Sequence, residues 1–213
     1  PMLLLFKMLV LPILEYCSVL WSPQDVGNIQ KLDNIQRSFI RKICCNTESD
    51  YWERLKKMKL YSLQRRRERY RIIYTWKVLE GLVPNVNNNK ITSTNHARFG
   101  RKCIVPSVKN GRLSNIRAAS LPINGPRLFN LLPKHVRDIT DAKLPTFKAA
   151  LDSYLRKVPD EPQLPGYTAH RHASSNSLIH MVHVKPTSAG GCASISGANL
   201  HSAGGDRTPD GRT

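Results

Sequence analysis

Five arginines stand close together at positions 65, 66, 67, 69 and 71, with Glu68 the one acid among them. A guanidinium is planar, permanently charged and carries five donors, so a cluster of them suits phosphate oxygens. The chemistry this implies is the holding of a polyanion, not the making of bonds. A merely solvated charged face is the plainer reading of most charge runs. Five cations against one acid favour the phosphate reading.

Other chemistry finds little support. The histidines are His96, His135, His170, His172, His180, His183 and His201. His170 with His172, or His180 with His183, could share a metal. No Cys or acid stands beside them at ligand spacing, so no metal and no cofactor is expected. Five cysteines, Cys17, Cys44, Cys45, Cys103 and Cys192, form no Cys-x2-Cys pair and are odd in number. A zinc knuckle and a secreted disulfide scaffold are both disfavoured, and a reducing compartment is expected: intracellular, nuclear or cytoplasmic. No Gly-x4-Gly-Lys-Ser/Thr loop and no Gly-x-Ser-x-Gly elbow occurs. Adjacent aspartates are absent, and a two-metal polymerase site needs convergent carboxylates. By its own residues the chain reads as a binding module without a small-molecule substrate, not as an enzyme.

Charge is distributed unevenly over the 213 residues. Residues 1 to 160 hold 29 of the 33 Lys and Arg against 12 of the 15 acids, a surplus of 17, whereas residues 161 to 213 add 4 against 3. The chain divides into a basic, core-forming body and a nearly neutral tail. A pI near 10 points to a polyanionic partner, nucleic acid before an anionic membrane surface.

The arginines need an element to carry them, and Ser62 to Gly81 reads as one helix. Ser62 can cap its first turn, Gly81 fits the position after its end, and Pro84 lies just beyond. Leu63, Tyr70, Ile73 and Trp76 or Lys77 fall near one face, so the arginines are expected as a wet basic wall around a buried stripe. Before it, a helix from Asp25 to about Cys44 has Ile29, Leu32, Ile35 or Gln36, Phe39, Ile40 and Ile43 as its stripe. Arg37, Arg41 and Lys42 decorate its other side. Asp50 to Glu53 has the form of a capping box, opening a short helix to about Met58 that carries Lys56 and Lys57.

Met2 to Trp21 is apolar enough to suggest a membrane span, but Lys7 and Glu15 oppose it, since a central charge costs roughly 2.5–3.5 kcal/mol. A buried helix, or two helices meeting at Pro12, is the expectation. The first residue is Pro1, not methionine, which suggests a piece of a longer reading frame. Pro84 to about Gly100 reads as a loop. Lys102 to Pro106 and Arg112 to Ile116 flank Asn110-Gly111, a local hairpin signal. Gly125 to Pro133 reads as a short helix with Pro126 at its first position, and a last helix starts near Pro145 with Phe147, Leu151, Tyr154 and Leu155 inward. Past Val158 the Pro-, Ser- and Gly-rich composition predicts a low-order tail, disordered beyond Pro186.

Several stretches resemble one family. Phe6-Lys-Met-Leu-Val-Leu-Pro-Ile-Leu-Glu-Tyr-Cys-Ser-Val-Leu-Trp-Ser-Pro23 resembles the segment after the polymerase palm in jockey-type non-LTR retrotransposon reverse transcriptases. Ile29 to Ile43, Tyr51 to Leu55 with Leu60 to Arg67, Tyr74 to Gly81, Pro126 to Pro133 with Val136-Arg137, and Phe147 to Leu155 are similar to blocks that follow in the family's order. Pro159 to Tyr167 and Asn176-Ser-Leu178 resemble C-terminal blocks of some members. The likeness covers roughly residues 3 to 183, and the aromatic-x-Asp-Asp turn that holds the catalytic metals is absent. It implies the thumb and post-palm part of an RNA-directed DNA polymerase, without its active site.

The expectation is therefore a mainly α chain, a small helical bundle with a short β-hairpin in the second half and a disordered C-terminal tail. Residues 1–83 form a basic helical bundle, 84–158 a linker, hairpin and C-terminal helices, and 159–213 the tail. Its expected function is non-catalytic binding of RNA and DNA backbone (template and primer) through Arg37, Arg41, Lys42, Lys56, Lys57, Arg65, Arg66, Arg67, Arg69 and Arg71. The alternatives are a pseudogene-like fragment that only docks on the missing palm and fingers, and a basic membrane-associated protein.

Overall fold

The computed structural model describes residues 2–23, 26–44, 50–85, 91–108, 111–161 and 176–183. The chain is mainly helical, with a two-stranded antiparallel hairpin. Helix α1 (Met2–Leu5), a π-helical stretch (Phe6–Val10) and α2 (Leu11–Glu15) follow without interruption. The π stretch has an identifiable cause. Pro12 lacks an N–H and its ring crowds the preceding turn, and the Leu11 N–H reaches back to the Phe6 carbonyl. Phe6 and Leu11 are buried, but Leu4, Met8, Leu9 and Ile13 are more than 60 % exposed. The expected buried helix thus hides only one side.

Helix α3 (Val26–Ile43) turns Gln36 and Ile40 inward and leaves Ile35 outside. Its Phe39 ring lies 5.2 Å from Phe6. Asp25 falls outside the described residues. In α4 (Tyr51–Lys57), Tyr51 and Leu55 are buried. Asp50 occupies the N-cap position, yet its side chain makes no capping bond, so the expected capping box does not form.

Helix α5 (Leu63–Leu79) has the expected ends: the Ser62 hydroxyl accepts from the Arg65 N–H at 3.1 Å, and Gly81 takes a φ of 69°. None of its residues is fully exposed. It runs through two apolar clusters. The first gathers Phe6, Leu11, Ile40, Tyr51, Leu55, Leu60 and Leu63. The second joins Ile72, Ile73 and Trp76 to Leu128, Phe129, Phe147, Leu151 and Leu155. There Trp76 stacks on Phe147 at 4.6 Å and donates its indole N–H to the Ile139 carbonyl at 2.9 Å.

The hairpin pairs β1 (Ser93–His96) with β2 (Gly100–Cys103), Ser93 opposite Cys103 and His96 opposite Gly100. It therefore lies earlier than expected: β1 falls inside the stretch read as a loop, and β2 overlaps the start of the expected first strand at Lys102 and Cys103. Asn110 is outside the described residues, and Arg112 to Ile116 is not a strand but leads into α6 (Ser114–Ala119). Tertiary hydrogen bonds place the real hairpin. The Asn130 side chain brackets both backbone groups of Cys103, and Arg137 donates to the carbonyls of Arg101 and Phe99. Next, α7 (Leu121–Asn130) starts earlier than expected and carries Pro126 in its interior, with Pro122 in the first turn. It is followed by α8 (Lys134–Arg137), α9 (Leu144–Leu155), which begins where expected, and α10 (Leu178–His183). Residues 176–183, assigned by composition to the tail, pack into the core: Asn176 and Leu178 are buried to within 1 %. Residues 162–175 and 184–213 lie outside the described ones. Among the described residues no helix is long and apolar enough to cross a membrane.

Candidate nucleic-acid interface

The five arginines of α5 do not form a wet wall. Arg65, Arg67 and Arg71 are buried, and Arg66 and Arg69 are half-buried. Arg65 donates to the Pro159 carbonyl at 2.7 Å and stands 3.6 Å from Asp160. Asp160 also accepts from the Ser62 N–H and hydroxyl. Arg66 is paired with Glu15, which accepts from the Tyr70 hydroxyl as well. Arg69 clamps Asp152 through two parallel hydrogen bonds. Arg67 points to the Leu14 carbonyl and the Trp21 ring, and its burial depresses its pKa, as burial does for Arg71.

The physical reason is coverage. Apolar residues of α5 face both clusters, so the helix is central and has no outer side to give its cations. Each buried guanidinium then needs a partner, because an uncompensated buried charge is costly. Arg65, Arg66 and Arg69 find acids from distant segments, Asp160, Glu15 and Asp152, whereas Arg67 and Arg71 have no ion pair among the described residues. Arg37 is also engaged, its guanidinium 4.4 Å over the Tyr51 ring.

Arg41, Lys42, Lys56 and Lys57 are exposed, as expected of contact residues. Lys56 pairs with Glu161 at 3.4 Å, an exposed pair of little strength. Lys31, near the start of α3, and Lys59, just after α4, are exposed as well. No ion pair holds Lys31, Arg41, Lys42, Lys57 or Lys59 among the described residues. Glu15, Asp152 and Asp160 are engaged with arginines of α5, Glu80 with Arg101 and Glu68 with core donors, so the outer surface keeps more cations than acids, the exposed acids being Asp50, Glu53, Asp138, Asp141 and Glu161 among the described residues.

Two buried acids have roles that the sequence reading missed. Glu68 accepts from the Ser177 hydroxyl at 2.5 Å, the Leu178 N–H at 2.9 Å and the Gln64 amide at 3.2 Å. Burial pushes its pKa up, and these hydrogen bonds and Arg65 pull against it. Its signal was its position as the single acid inside the arginine run. Asp33 on α3 is 4 % exposed. Burial raises its pKa to about 6, outweighing the opposite pull of Arg67 and Arg37, and Asp160 adds a smaller push upward. Asp33 Oδ1, Gln36 Oε1, the Tyr51 hydroxyl and Arg67 Nη1 are buried without a hydrogen-bond partner among the described residues. Desolvation also raises the Tyr51 pKa.

Among the described residues no group of His, Cys, Asp and Glu could hold a metal ion. Cys17, Cys44 and Cys103 are free thiols, and burial pushes Cys103 up to about 12. Compared with protein-family models, curated proteins and solved structures, the chain matches none of them.

Proposed function

We propose that the chain is a non-catalytic C-terminal part of a retrotransposon RNA-directed DNA polymerase that holds RNA or DNA backbone without reading sequence. The observation that carries this is the displacement of charge. Glu15, Glu80, Asp152 and Asp160 are taken up by arginines, and Asp33 and Glu68 are buried. Lys31, Arg41 and Lys42 on α3, Lys57 on α4 and Lys59 just after it are exposed without carboxylate partners among the described residues, with Asp50 and Glu53 exposed at the start of α4. Exposed cations of this kind meet phosphates and release counterions. The ordered sequence blocks support the family, and the absent Asp-Asp turn supports the lack of catalysis. The free thiols fit an intracellular site, nuclear or cytoplasmic. The contact residues in this reading are the exposed ones. Arg65, Arg66, Arg67, Arg69 and Arg71 instead hold the module together.

A filter-binding salt titration on duplex DNA tests it. Neutralising ~5 phosphates gives a log–log slope of about −4. The triple variant Arg41→Glu, Lys42→Glu, Lys57→Glu is expected to flatten that slope and weaken binding while leaving the circular dichroism unchanged. A salt-independent affinity would remove the proposal.

A second reading, docking on the palm and fingers of the parent polymerase, is favoured by the exposed apolar residues of the π stretch, α2 and the turn after it. Met8, Leu9, Ile13, Tyr16 and Leu20 are all more than 60 % exposed, a concentration of exposed apolar residues within one segment of the sort that marks an interaction surface. Both readings can hold at once. Light scattering separates them: Leu9→Lys with Ile13→Lys is expected to abolish self-association and to leave nucleic-acid binding intact.

A further inference from the structure

A cleft of about 730 Å³ is lined by residues of α4, α5 and α9 and by residues 158–161. Its walls include the half-buried aromatic rings of Trp52 and Tyr61, and its rim carries the exposed Lys59 and Arg156. Three carboxylates line it too, and the exposed Glu161 is paired only with the exposed Lys56 at 3.4 Å, while the other two are compensated. Asp152 is clamped by Arg69, and Asp160 is held by Arg65 and Ser62. Lys59 and Arg156 are left with no carboxylate partner among the described residues. The walls are stiff, because Arg66 and Arg69 are each fixed by an acid from another helix.

Aromatic faces beside uncompensated cations match the chemistry of an unpaired nucleotide. Its base presents a π-face to stack and its phosphate an anion to pair. Duplex DNA offers only the second of these, since its bases are stacked on one another. The size of the cleft falls in the ordinary range for small-ligand sites. We infer that this cleft seats an unpaired nucleotide of a single strand, its base on Trp52 and its phosphate on Lys59 and Arg156. The inference rests on the nucleic-acid reading above and adds to it a preference for single strands at one site.

The test compares oligo-dT of twelve nucleotides with a twelve-base-pair duplex by fluorescence anisotropy, using the whole chain. Wild type is expected to bind both. Trp52→Leu is expected to weaken oligo-dT roughly tenfold or more, the loss of one base stack, and to leave the duplex within about twofold. Trp52→Phe, which keeps a stacking face, should restore most of the loss. Lys59→Glu with Arg156→Glu, at positions too exposed to unfold the chain, should weaken oligo-dT more than duplex. If Trp52→Leu and the double charge variant bind oligo-dT like wild type while the duplex still binds, the cleft assignment is overturned and the broader reading stands. Equal losses on both ligands overturn it too. If wild type binds neither ligand, the nucleic-acid reading fails and the cleft assignment with it.

Discussion

Arg69 on α5 and Asp152 on α9 meet in a two-point pair, Nε to Oδ1 at 2.6 Å and Nη2 to Oδ2 at 2.8 Å. The hydrogen bonds to Asp152 raise the Arg69 pKa, so the cation is locked in its charged form. Both side chains are mostly covered, 18 % and 27 % exposed, which places the pair between a surface ion pair and a buried one. Asp152→Ala leaves the guanidinium without its partner and is expected to destabilise the chain by about 2 kcal/mol. Urea denaturation measures this. Arg69→Lys should lose a comparable amount, because an ammonium cannot make the parallel bonds. If Asp152→Ala is as stable as wild type, α9 is held by its apolar contacts alone.

Asp33 makes stability depend on pH in the direction opposite to an ordinary ion-paired carboxylate. Its folded pKa of about 6 lies above its ordinary value of 3.8. The folded state therefore binds the proton more tightly than the unfolded chain does. The associated stability is fully present below pH 3.8 and is lost as pH rises through about 6. A gap of that size corresponds to about 3 kcal/mol. Asp33→Asn keeps the shape and removes the charge, so it is expected to be the more stable protein at pH 7, by an amount of that order. Denaturation midpoints of the two proteins should converge near pH 4 and separate between pH 4 and 7. Parallel curves would mean that Arg67 or water compensates the charge.

Glu68 fixes the start of α10 by accepting from Ser177 and from the Leu178 N–H. Glu68→Ala leaves a buried backbone donor unpaired and is expected to cost about 2–3 kcal/mol, concentrated at one end of the fold. Hydrogen exchange should show it as faster exchange at Leu178 to Val182, with α7 and α9 little changed. Glu68→Gln keeps one acceptor and should fall between. Uniform loss of protection across the chain would assign Glu68 to global rather than local stability.

What could be read in the sequence was local. Ser62 and Gly81 announce the ends of α5 because a cap and a left-handed residue act on their own helix. The Phe147, Leu151 and Leu155 spacing announces α9 for the same reason. The direction of the arginines could not be read that way. Glu15, Asp152 and Asp160 neutralise three of them across separations of 51, 83 and 95 residues (66 to 15, 152 to 69, 160 to 65), and no window around α5 contains these acids. The hairpin failed likewise. Ser93 to His96 has no apolar alternation, and its pairing is held from outside by Arg137 and Asn130, whereas Asn110-Gly111 is a strong turn signal without strands to join. The exposed cations of the candidate interface were legible because no tertiary partner had to be known.

The approach of α7 to α5 gives a final expectation. A Cβ placed on Gly125 would lie 2.4 Å from the Thr75 hydroxyl oxygen, far inside contact distance, and 3.7 Å from the Thr75 Cβ. Thr75 is fully buried, and its hydroxyl donates to the Arg71 carbonyl at 2.9 Å, so it cannot swing into solvent. Gly125→Ala therefore forces the two helices apart and is expected to cost about 1–3 kcal/mol despite alanine's better helix propensity. Thr75→Ala removes the offending oxygen and keeps the Cβ at an ordinary distance. It should cost about 1 kcal/mol alone, for the lost hydrogen bond and the small void. In the double variant the new methyl occupies the vacated space, so the combined loss should be clearly smaller than the sum of the two single losses. A double-mutant cycle by urea denaturation reads that coupling directly. Simple additivity would mean that the helices relax around Gly125→Ala without help, and that the short distance between them is not what sets their packing.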